Sequence, residues 1–300
     1  MMKKRKSNKL YLMTTREKVV LGIVFVLLIF YALSLIYPFI YLLINSFKDD
    51  IDFFNNPLGL PTKWVTSSYR FALTEFVVTS SNDSGELIET GLLGMFWNSI
   101  SLSIVETIVS MFFTCCAAYV LAKYKFFGNK FLYTFVIICS VIPTIAAIAA
   151  TYKLMANTEL IGTFIGMILM ECGAFGGGFL YIHSYFKSIP WTFAESAMMD
   201  GASDFKIFIR IMLPMAKNGI LTFTIMRFLG FWNSYWMPYL FYSNHPTLAV
   251  GLSMLSATST NHGEYTELFA AMILSIIPVI IFYAIFQKQL LSNTIDGGLK

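Results

Sequence analysis

Six apolar stretches, each about as long as a membrane span, constrain the fold of this chain more than any other feature. They lie at residues 19–44, 96–122, 131–152, 160–185, 216–242 and 268–287. A helix needs roughly 20 residues to cross the ~30 Å hydrocarbon core of a bilayer. Charged residues make up only 13% of the 300 residues, about half the share in an ordinary soluble domain. Because the stretches are too long and too continuously apolar for barrel strands, the sequence predicts an all-α, polytopic membrane protein with six transmembrane helices.

The distribution of lysine and arginine predicts which side of the membrane each connection faces. Basic residues crowd segment 1–18 and recur around 123–130 and 187–217, whereas loop 45–95 is acidic and 243–266 contains neither lysine nor arginine. Because basic loops stay on the cytoplasmic side, both termini are predicted to be cytoplasmic. Within the acidic loop, which is rich in serine, asparagine, glycine and proline, residues 79–91 are predicted to form an exposed, mobile excursion.

This topology divides the chain into three predicted parts. Residues 1–18 form a cytoplasmic basic tail, 19–292 the six-span domain, and 293–300 a cytoplasmic C-terminal tail. The first apolar run is too long for the apolar core of a signal peptide and lacks a small-residue cleavage pattern. It is therefore expected to be a retained span.

A polar, charged segment interrupts the apolar pattern between the fourth and fifth stretches. Residues 195–214 read ESAMMDGASDFKIFIRIMLP. Thr192 is placed to cap a helix with Glu195 three residues on. Gly201 would end that helix, and a second short helix, 203–212, would turn back toward the membrane before a proline. The predicted helix–turn–helix can fit a groove on a soluble protein, whereas a helix lying flat on the inner leaflet would carry more basic residues.

This segment, bounded by residues 190–214, resembles the EAA loop of bacterial ABC-importer permeases. The positions that carry the resemblance are Glu195, Ser196, Ala197, Asp200, Gly201, Ala202, Ile211, Leu213 and Pro214. Only Ser196 departs from the family pattern, where alanine is usual. The sequence DGA at 200–202 is similar to the form found in carbohydrate-uptake permeases, and the pair Trp232-Asn233 resembles another family element. The chain as a whole resembles the smaller, six-spanning permease of the maltose-type pair.

The resemblance implies a permease subunit of an ATP-driven importer for a sugar or oligosaccharide, in a bacterial inner membrane. Such a subunit is non-catalytic, has no cofactor or metal, forms half of the translocation pathway and binds no nucleic acid. The implied partners are a second permease subunit, a dimer of ATPase subunits, an extracellular solute-binding protein, the sugar and membrane lipid. The EAA loop would dock in a cleft of one ATPase subunit with Glu195 facing a basic group, and the tail 293–300 would reach the ATPase dimer interface.

Ionisable residues at membrane depth form a second group of candidates. Glu171 and Arg227 lie near the middles of the fourth and fifth stretches, where a charge is costly unless it faces protein or water. They are placed to pair, and two interpretations stay open: a substrate-facing polar site or a tie between helices. Glycines at 173 and 176–178 permit tight packing or an unwound segment. His183 is expected near the inner membrane interface.

Aromatic residues of the fifth stretch are candidates for sugar contacts. Trp232 and Trp236 are spaced one helical turn apart, with Asn233 beside them. Aromatic rings can stack on the apolar faces of sugar rings while an amide bonds to hydroxyls. Packing between helices, or a belt at the membrane interface, is the alternative interpretation.

Two other classes of protein compete with the importer. An ion-coupled secondary transporter would use Glu106, Glu171 and Arg227 as a proton or ion relay. However, the sequence has no repeated half, and such a transporter needs no cytoplasmic helix–turn–helix. A membrane enzyme would need a catalytic constellation, and neither H-E-x-x-H nor G-x-S-x-G occurs. The phosphate-binding pattern G-x-x-x-x-G-K-[ST] is also missing from the sequence. The energy for transport is therefore expected to come from another polypeptide.

Overall fold

The computed structural model describes residues 14–81, 85–142, 147–176 and 178–297, with side chains as far as residue 288. The first apolar stretch forms one helix, α1 (Thr15–Asn45). Its start is fixed by a capping box, in which the Thr14 N–H donates to the Glu17 carboxylate at 2.7 Å and the Glu17 N–H donates to the Thr14 hydroxyl. Most of the predicted basic tail, residues 1–13, lies outside the described residues.

The described part of the acidic loop 45–95 contains regular structure, and the segment 79–91 is mostly exposed, as predicted, but belongs largely to two strands. It contains two short helices and an antiparallel hairpin, which are Asp50–Asn55 (α2), Ser67–Thr74 (α3), Val77–Ser81 (β1) and Leu87–Gly91 (β2). The hairpin places Val77 opposite Gly91. The hairpin forms because its strands carry β-branched residues. Val78 of β1 is also buried in an apolar cluster. The all-α expectation therefore holds except for this two-stranded sheet.

The second, third and fourth apolar stretches differ in continuity. The second is a single helix, α4 (Leu92–Lys123). The third and fourth each form two shorter helices, which are Asn129–Val141 (α5), Ile148–Asn157 (α6), Phe164–Met170 (α7) and Phe179–Ser188 (α8). The break before α8 carries Gly173 and Gly176, as the glycine pattern allowed, while Gly177 lies outside the described residues. Gly178 is required by close packing, because a Cβ there would lie 1.8 Å from the Phe223 ring.

The polar segment and the last third of the chain complete the fold. The polar segment forms Thr192–Met199 (α9), Asp204–Ile207 (α10), a π-helix at Phe208–Met212 and Leu213–Met215 (α11). The rest of the chain forms Lys217–Trp232 (α12), Trp236–Phe241 (α13), Leu248–His262 (α14) and Tyr265–Gly297 (α15). Three helices of the described ranges, α1, α4 and α15, are long and apolar enough to cross a membrane. The fold is thus mostly helical, and three of the six predicted spans are each divided between two helices.

Apolar side chains are buried in separate clusters at the two ends of α4. One cluster joins α4 and α8 to the polar segment, and its fully buried members include Phe179, Phe186, Ile207 and Met212. The other joins the β1–β2 hairpin and α3 to α12, α14 and α15. In contrast, the most apolar part of α1 has no buried residues. The surface of this chain therefore leaves long apolar helix faces for lipid or another subunit to cover.

Candidate functional site

The polar segment folds as the predicted helix–turn–helix, and Gly201 makes the turn. Its φ of +78° lies in the left-handed region that favours glycine. The Gly201 N–H donates to the Met198 carbonyl at 3.0 Å, and the Ala202 N–H donates to the Ala197 carbonyl at 2.9 Å. These two bonds form a Schellman motif, which satisfies the last carbonyls of α9. The turn is therefore specified by local backbone chemistry.

The start of α9 differs from the predicted one. The residue before the helix is Trp191, whose carbonyl accepts from the Ala194 and Glu195 N–H groups, and no side chain caps the helix. Thr192 is thus already helical, and the predicted Thr192–Glu195 capping box is wrong. The Thr192 carbonyl instead accepts from the Ser196 hydroxyl at 2.9 Å. Glu195 is exposed and forms no ion pair with a residue that the structure describes.

The second helix of the segment continues through Pro214, where the sequence predicted that it would stop. The five residues before Leu213 widen into a π-turn, in which the Leu213 N–H donates to the Phe208 carbonyl. Pro214, which has no N–H to donate, lies in the first turn of α11 directly after this π-turn. A π-turn is typical of functional segments of helices. A single turn residue, Ala216, then separates the polar segment from α12.

One side of the polar segment is packed firmly against α4 and α8. Ala194, Ile207 and Met212 are fully buried. The Phe208 ring stacks on the Tyr119 ring of α4, with centroids 4.8 Å apart. Burial of large apolar side chains contributes roughly 1.5–3 kcal/mol each. The segment is therefore attached to α4 and α8 through apolar packing.

Two hydrogen bonds add to this attachment at the end of α4. The Tyr124 hydroxyl donates to the Asp204 carboxylate at 2.9 Å, and the Lys123 ammonium donates to the Ile189 carbonyl. Burial, followed by hydrogen bonds with Tyr119 and Asp204, raises the pKa of Tyr124 above its usual range. The sequence analysis did not single out Tyr124 as a site residue, because its partner is 80 residues away. The available signal was its position just after the second apolar stretch, between Lys123 and Lys125.

The opposite side of the segment is open to solvent. Among the predicted docking residues, Glu195, Ser196, Asp200, Gly201 and Pro214 are exposed, whereas Ala197, Ala202, Ile211 and Leu213 are half-buried. The two groups therefore have different surroundings: the first forms the outer surface, and the second lies between that surface and the core.

Two large apolar side chains beside the turn were missed by the sequence analysis. Met199 is 89% exposed and Phe205 is 70% exposed. They flank Gly201 in sequence, so they stand at the tip of the helix–turn–helix. Exposed apolar residues rimmed by acidic ones are typical of a protein-binding surface. Their helical phase relative to the buried Ala194 and Ile207 was the signal that could have revealed them.

The two charged residues at membrane depth form an ion pair. Arg227 Nη2 of α12 lies 2.6 Å from Glu171 Oε2 at the end of α7. The same nitrogen donates to the Ser110 hydroxyl of α4 at 2.8 Å, and the guanidinium lies 4.5 Å from the centre of the Phe231 ring. Three helices are thus tied at one point. The side chains of Arg227 and Glu171 remain 28% and 25% exposed, so the ion pair is also partly accessible from outside this chain.

Two further ionisable residues in the membrane helices are buried. Glu106 is only 4% exposed and lies one turn before Ser110 on α4. Its carboxyl group is close enough to Glu171 and Arg227 to interact with them electrostatically. His183 was expected at the interface but is only 6% exposed, with its ring 4.7 Å from that of Tyr133.

The candidate sugar-contact residues do not share one helix. Trp232 is the last residue of α12 and Trp236 the first of α13, so the predicted one-turn spacing is interrupted. Trp232 is buried between the rings of Phe96 and Phe228. The Asn233 amide donates to the Leu229 carbonyl at 2.8 Å and so closes the end of α12. Trp236 is 48% exposed and Asn233 is exposed as well, so only Trp232 of these three is buried.

These features define a class of membrane subunit: long apolar helices, broken helices with a charged tie, and a polar helix–turn–helix attached to the end of a span. Residues 110–294 match the family described as the inner membrane component of binding-protein-dependent transport systems. The match covers more than half of the chain, so the chain belongs to this family. Its members are the permease components of ABC importers, which are non-catalytic, and ATP is hydrolysed by a separate ATPase subunit.

Curated relatives extend the match to most of the chain. The chain is 28% identical over 278 residues to the diacetylchitobiose uptake system permease protein of Streptomyces coelicolor, covering 91% of this chain and 87% of the relative. It is 31% identical over 207 residues to the arabinooligosaccharides transport system permease protein of Bacillus subtilis, covering 68% and 73%. The family resemblance inferred from the sequence is thereby confirmed. The competing secondary-transporter and membrane-enzyme interpretations have no support in this family.

Solved structures show the same fold. A chain of a bacterial ABC transporter that imports the acidic polysaccharide alginate superimposes with a TM-score of 0.74. The superposition covers 92% of this chain and 98% of that chain, at 24% sequence identity. The broken helices of this chain therefore belong to an ABC-permease fold.

Proposed function

We propose that this chain is one of two permease subunits of an ATP-driven importer for a sugar or oligosaccharide. It forms half of the translocation pathway and couples to an ATPase through segment 190–214. The permease names of the curated relatives, which refer to diacetylchitobiose and arabinooligosaccharides, support an oligosaccharide as cargo. The remaining partners in this proposal are a second permease subunit, a second ATPase subunit and an extracellular binding protein.

The proposed topology has six crossings and places both termini in the cytoplasm. α1, α4 and α15 each cross alone, and the pairs α5–α6, α7–α8 and α12–α13 supply the other three. Lysines near 123–130 and 187–217 then lie on the cytoplasmic side, as positive charge favours. In the same proposal, 19–292 is the permease domain and 293–300 the C-terminal tail.

The observation that carries the coupling role is the two-sided character of the polar segment. One side is fixed to α4 and α8 by Phe208 and by the Tyr124–Asp204 bond. The other side presents Glu195, Met199 and Phe205 to solvent. The polar segment can therefore transmit motion between a soluble partner and α4 and α8, because closely packed helices move together.

The ion pair of Glu171 and Arg227 has a separate place in the proposal. It ties α4, α7 and α12 where three membrane helices meet, and it borders on the pathway through its exposed edge. Of the two tryptophans, Trp236 is better placed to meet a sugar, because Trp232 is 7% exposed and Trp236 is 48% exposed.

The coupling role is tested by two substitutions on the exposed side, Glu195→Arg and Gly201→Asp. We expect both to abolish binding-protein-dependent uptake and stimulation of the ATPase while the protein stays inserted. The first reverses the charge that faces the partner. The second places a side chain at a φ of +78°, where non-glycine residues are strained.

The chain offers a matched control for each change. Glu264→Arg reverses an exposed charge in the loop before α15, and Gly85→Asp alters another positive-φ glycine, with φ +79° and no atom near its missing Cβ. Both controls should transport normally. Normal uptake by the two test variants would show that the segment does not couple the subunits.

A further inference from the structure

A large cavity lies beside the turn between α4 and α5, and no residue of the polar segment lines it. Its volume is about 1050 Å³. It is lined by Lys123, Lys125 and Lys130 from the turn and by His183 and Lys187 from α8. No aspartate or glutamate is found among the described residues that line it. A cavity with this charge fits an anionic group.

The lysines of this cavity are available for a ligand. Lys125, Lys130 and Lys187 are exposed, and none of them forms an ion pair with a carboxylate in the part of the chain that the structure describes. Lys123 differs, because its ammonium is already bonded to the Ile189 carbonyl. Three positive charges therefore face one cavity without an internal counter-ion.

The turn that carries two of these lysines has a fixed conformation. Gly128 has a φ of +90° and begins α5. The Asn129 amide donates to the Tyr124 carbonyl at 2.8 Å and to the Leu121 carbonyl at 3.1 Å. The turn is thus held to the end of α4. A pre-formed basic site loses less conformational entropy on binding than a mobile loop would.

Exposed apolar residues continue from the cavity along α5. Phe127, at the tip of the turn, is fully exposed, and Phe131 in the cavity wall is 71% exposed. Phe135 and Ile138 follow on the same helix face, at 52% and 56% exposure. Of all the residues of α5, only Val136 is buried. The cavity therefore joins a basic, water-facing end to an apolar stripe that runs along a membrane helix.

We propose that this cavity binds the headgroup phosphate of an anionic phospholipid, with the acyl chains lying along the α5 stripe. The inference rests on the proposed orientation, in which the α4–α5 turn faces the cytoplasm. Basic pockets between transmembrane helices on that side bind anionic headgroups. A free phosphate ion would satisfy the lysines but would leave the adjoining stripe of phenylalanine and isoleucine without a partner.

The test measures lipid retained by the intact transporter complex. The complex is purified from bilayers of phosphatidylglycerol and phosphatidylcholine, and bound lipid is counted by native mass spectrometry. The triple variant Lys125→Gln, Lys130→Gln, Lys187→Gln should retain about tenfold less phosphatidylglycerol than the wild type, since several basic residues near the surface act together. The control variant Lys63→Gln, Lys153→Gln, Lys217→Gln removes the same charge outside the cavity and should retain the wild-type amount.

A second variant distinguishes loss of the binding site from misfolding of the triple variant. Phe127→Ser changes a fully exposed side chain, so the protein should fold normally. It should retain about threefold less phosphatidylglycerol, because an apolar contact with the lipid is lost. Equal retention of phosphatidylglycerol by wild type, triple variant and Phe127→Ser would overturn the proposal.

Two further arms identify the source of the bound phosphate. Millimolar inorganic phosphate should not displace the retained phosphatidylglycerol, and phosphatidylcholine should not replace it. Displacement by inorganic phosphate would make the cavity a site for a free anion and overturn the lipid assignment. Loss of the ATPase subunit from the triple variant, with lipid unchanged, would make the cavity a protein-docking surface and overturn it as well.

The outcome is independent of the coupling role of segment 190–214. The Glu195→Arg protein should lose ATPase stimulation but keep its phosphatidylglycerol. If that protein keeps full coupling while the triple variant loses lipid, the proposed coupling role fails and the lipid site stands.

Discussion

The polar segment 190–214 and the region around Glu171 and Arg227 are held together in different ways. The segment is a continuous piece of chain whose turn, Gly201, is fixed by bonds between neighbouring residues. The membrane region is assembled from α4, α7 and α12, and its central contact joins residues that are 56 positions apart. The difference shows where local sequence determines geometry and where only the packed fold does.

This contrast leads to different responses to mutation. In the segment, one side depends on apolar packing against the helix ends, and the exposed side can change without loss of fold. In the membrane region, each polar group depends on the others, because an unpaired charge at membrane depth is costly. Loss of one member should therefore have a larger effect than loss of the whole group.

The largest effect on stability is expected for Phe208→Ala. Phe208 is 7% exposed and stacks on Tyr119, and truncation of a buried phenylalanine costs about 3–5 kcal/mol. The segment should detach from α4, so amide hydrogen exchange in 192–215 should accelerate and ATPase stimulation should fall.

Phe205→Ala is the matched control for this change. Phe205 lies three residues earlier and is 70% exposed, so hydrogen exchange should stay at the wild-type rate while binding to the ATPase weakens. Equal exchange rates in both variants would show that packing does not hold the segment in place.

A smaller effect is expected for Glu171→Ala. Removal of one partner from a buried ion pair costs about 3–5 kcal/mol, and partial exposure of both side chains should reduce this to about 2 kcal/mol. The thermal midpoint in detergent should fall. In the double variant Glu171→Gln, Arg227→Gln, part of the loss should be recovered because no charge is left unpaired.

Uptake measurements on the same variants separate the two interpretations of the ion pair. A tie between helices predicts that stability and uptake fall together and recover together in the double variant. An unchanged thermal midpoint with lost uptake would instead assign Glu171 to the sugar pathway.

A weaker effect is expected for Tyr124→Phe, which removes the hydroxyl that bonds to Asp204. A hydrogen bond contributes about 0.5–1.5 kcal/mol, and the exposed position of this bond places the expected loss near the lower value. Tyr31→Phe, at an exposed ring on α1, is the control and should melt like the wild type.

The pH dependence of stability supplies a second measurement on Tyr124. Its pKa is raised in the folded protein, first by burial and then by its hydrogen bonds to Tyr119 and Asp204. The contribution of this group is therefore fully present below the ordinary tyrosine pKa of about 10 and is lost as the pH rises above it. Tyr124→Phe should flatten the fall in thermal midpoint above pH 10, and an unchanged slope would contradict the raised pKa.

The same contrast explains how much of the structure could be predicted from the sequence. The membrane class, the positions of the six apolar stretches and the turn at Gly201 follow from composition, hydropathy and glycine chemistry, all of which are local. The division of the fifth stretch after Trp232 was not predicted, because only two polar residues, Asn233 and Ser234, mark the break within an otherwise apolar stretch. The hairpin around Val78 was missed because its stabilisation comes from α3, α4 and α14 rather than from its own polar residues.

The candidate site residues show the same difference between local sequence signals and contacts that only the fold creates. Glu195 and Asp200 were proposed as docking residues because their spacing resembles a family pattern, whereas Tyr124, Met199 and Phe205 were not singled out. Tyr124 acts through Asp204, which is distant in sequence. Met199 and Phe205 are apolar residues whose meaning depends on which side of the helix–turn–helix is covered, and the positions of Ala194 and Ile207 in the core decide that.

The smallest effect is expected for Ser196→Ala, which restores the alanine usual in the family pattern. The Ser196 hydroxyl donates only to the Thr192 carbonyl of its own helix, a bond that slightly disfavours helix geometry. Alanine has the higher helix propensity, by about 0.5 kcal/mol, so the thermal midpoint should stay the same or rise slightly, with unchanged uptake. Because Ser196 lies on the exposed side of α9 beside Glu195, a loss of uptake without a loss of stability would mean that the hydroxyl itself contacts the ATPase. The single departure from the family pattern would then mark a pairing specific to this transporter.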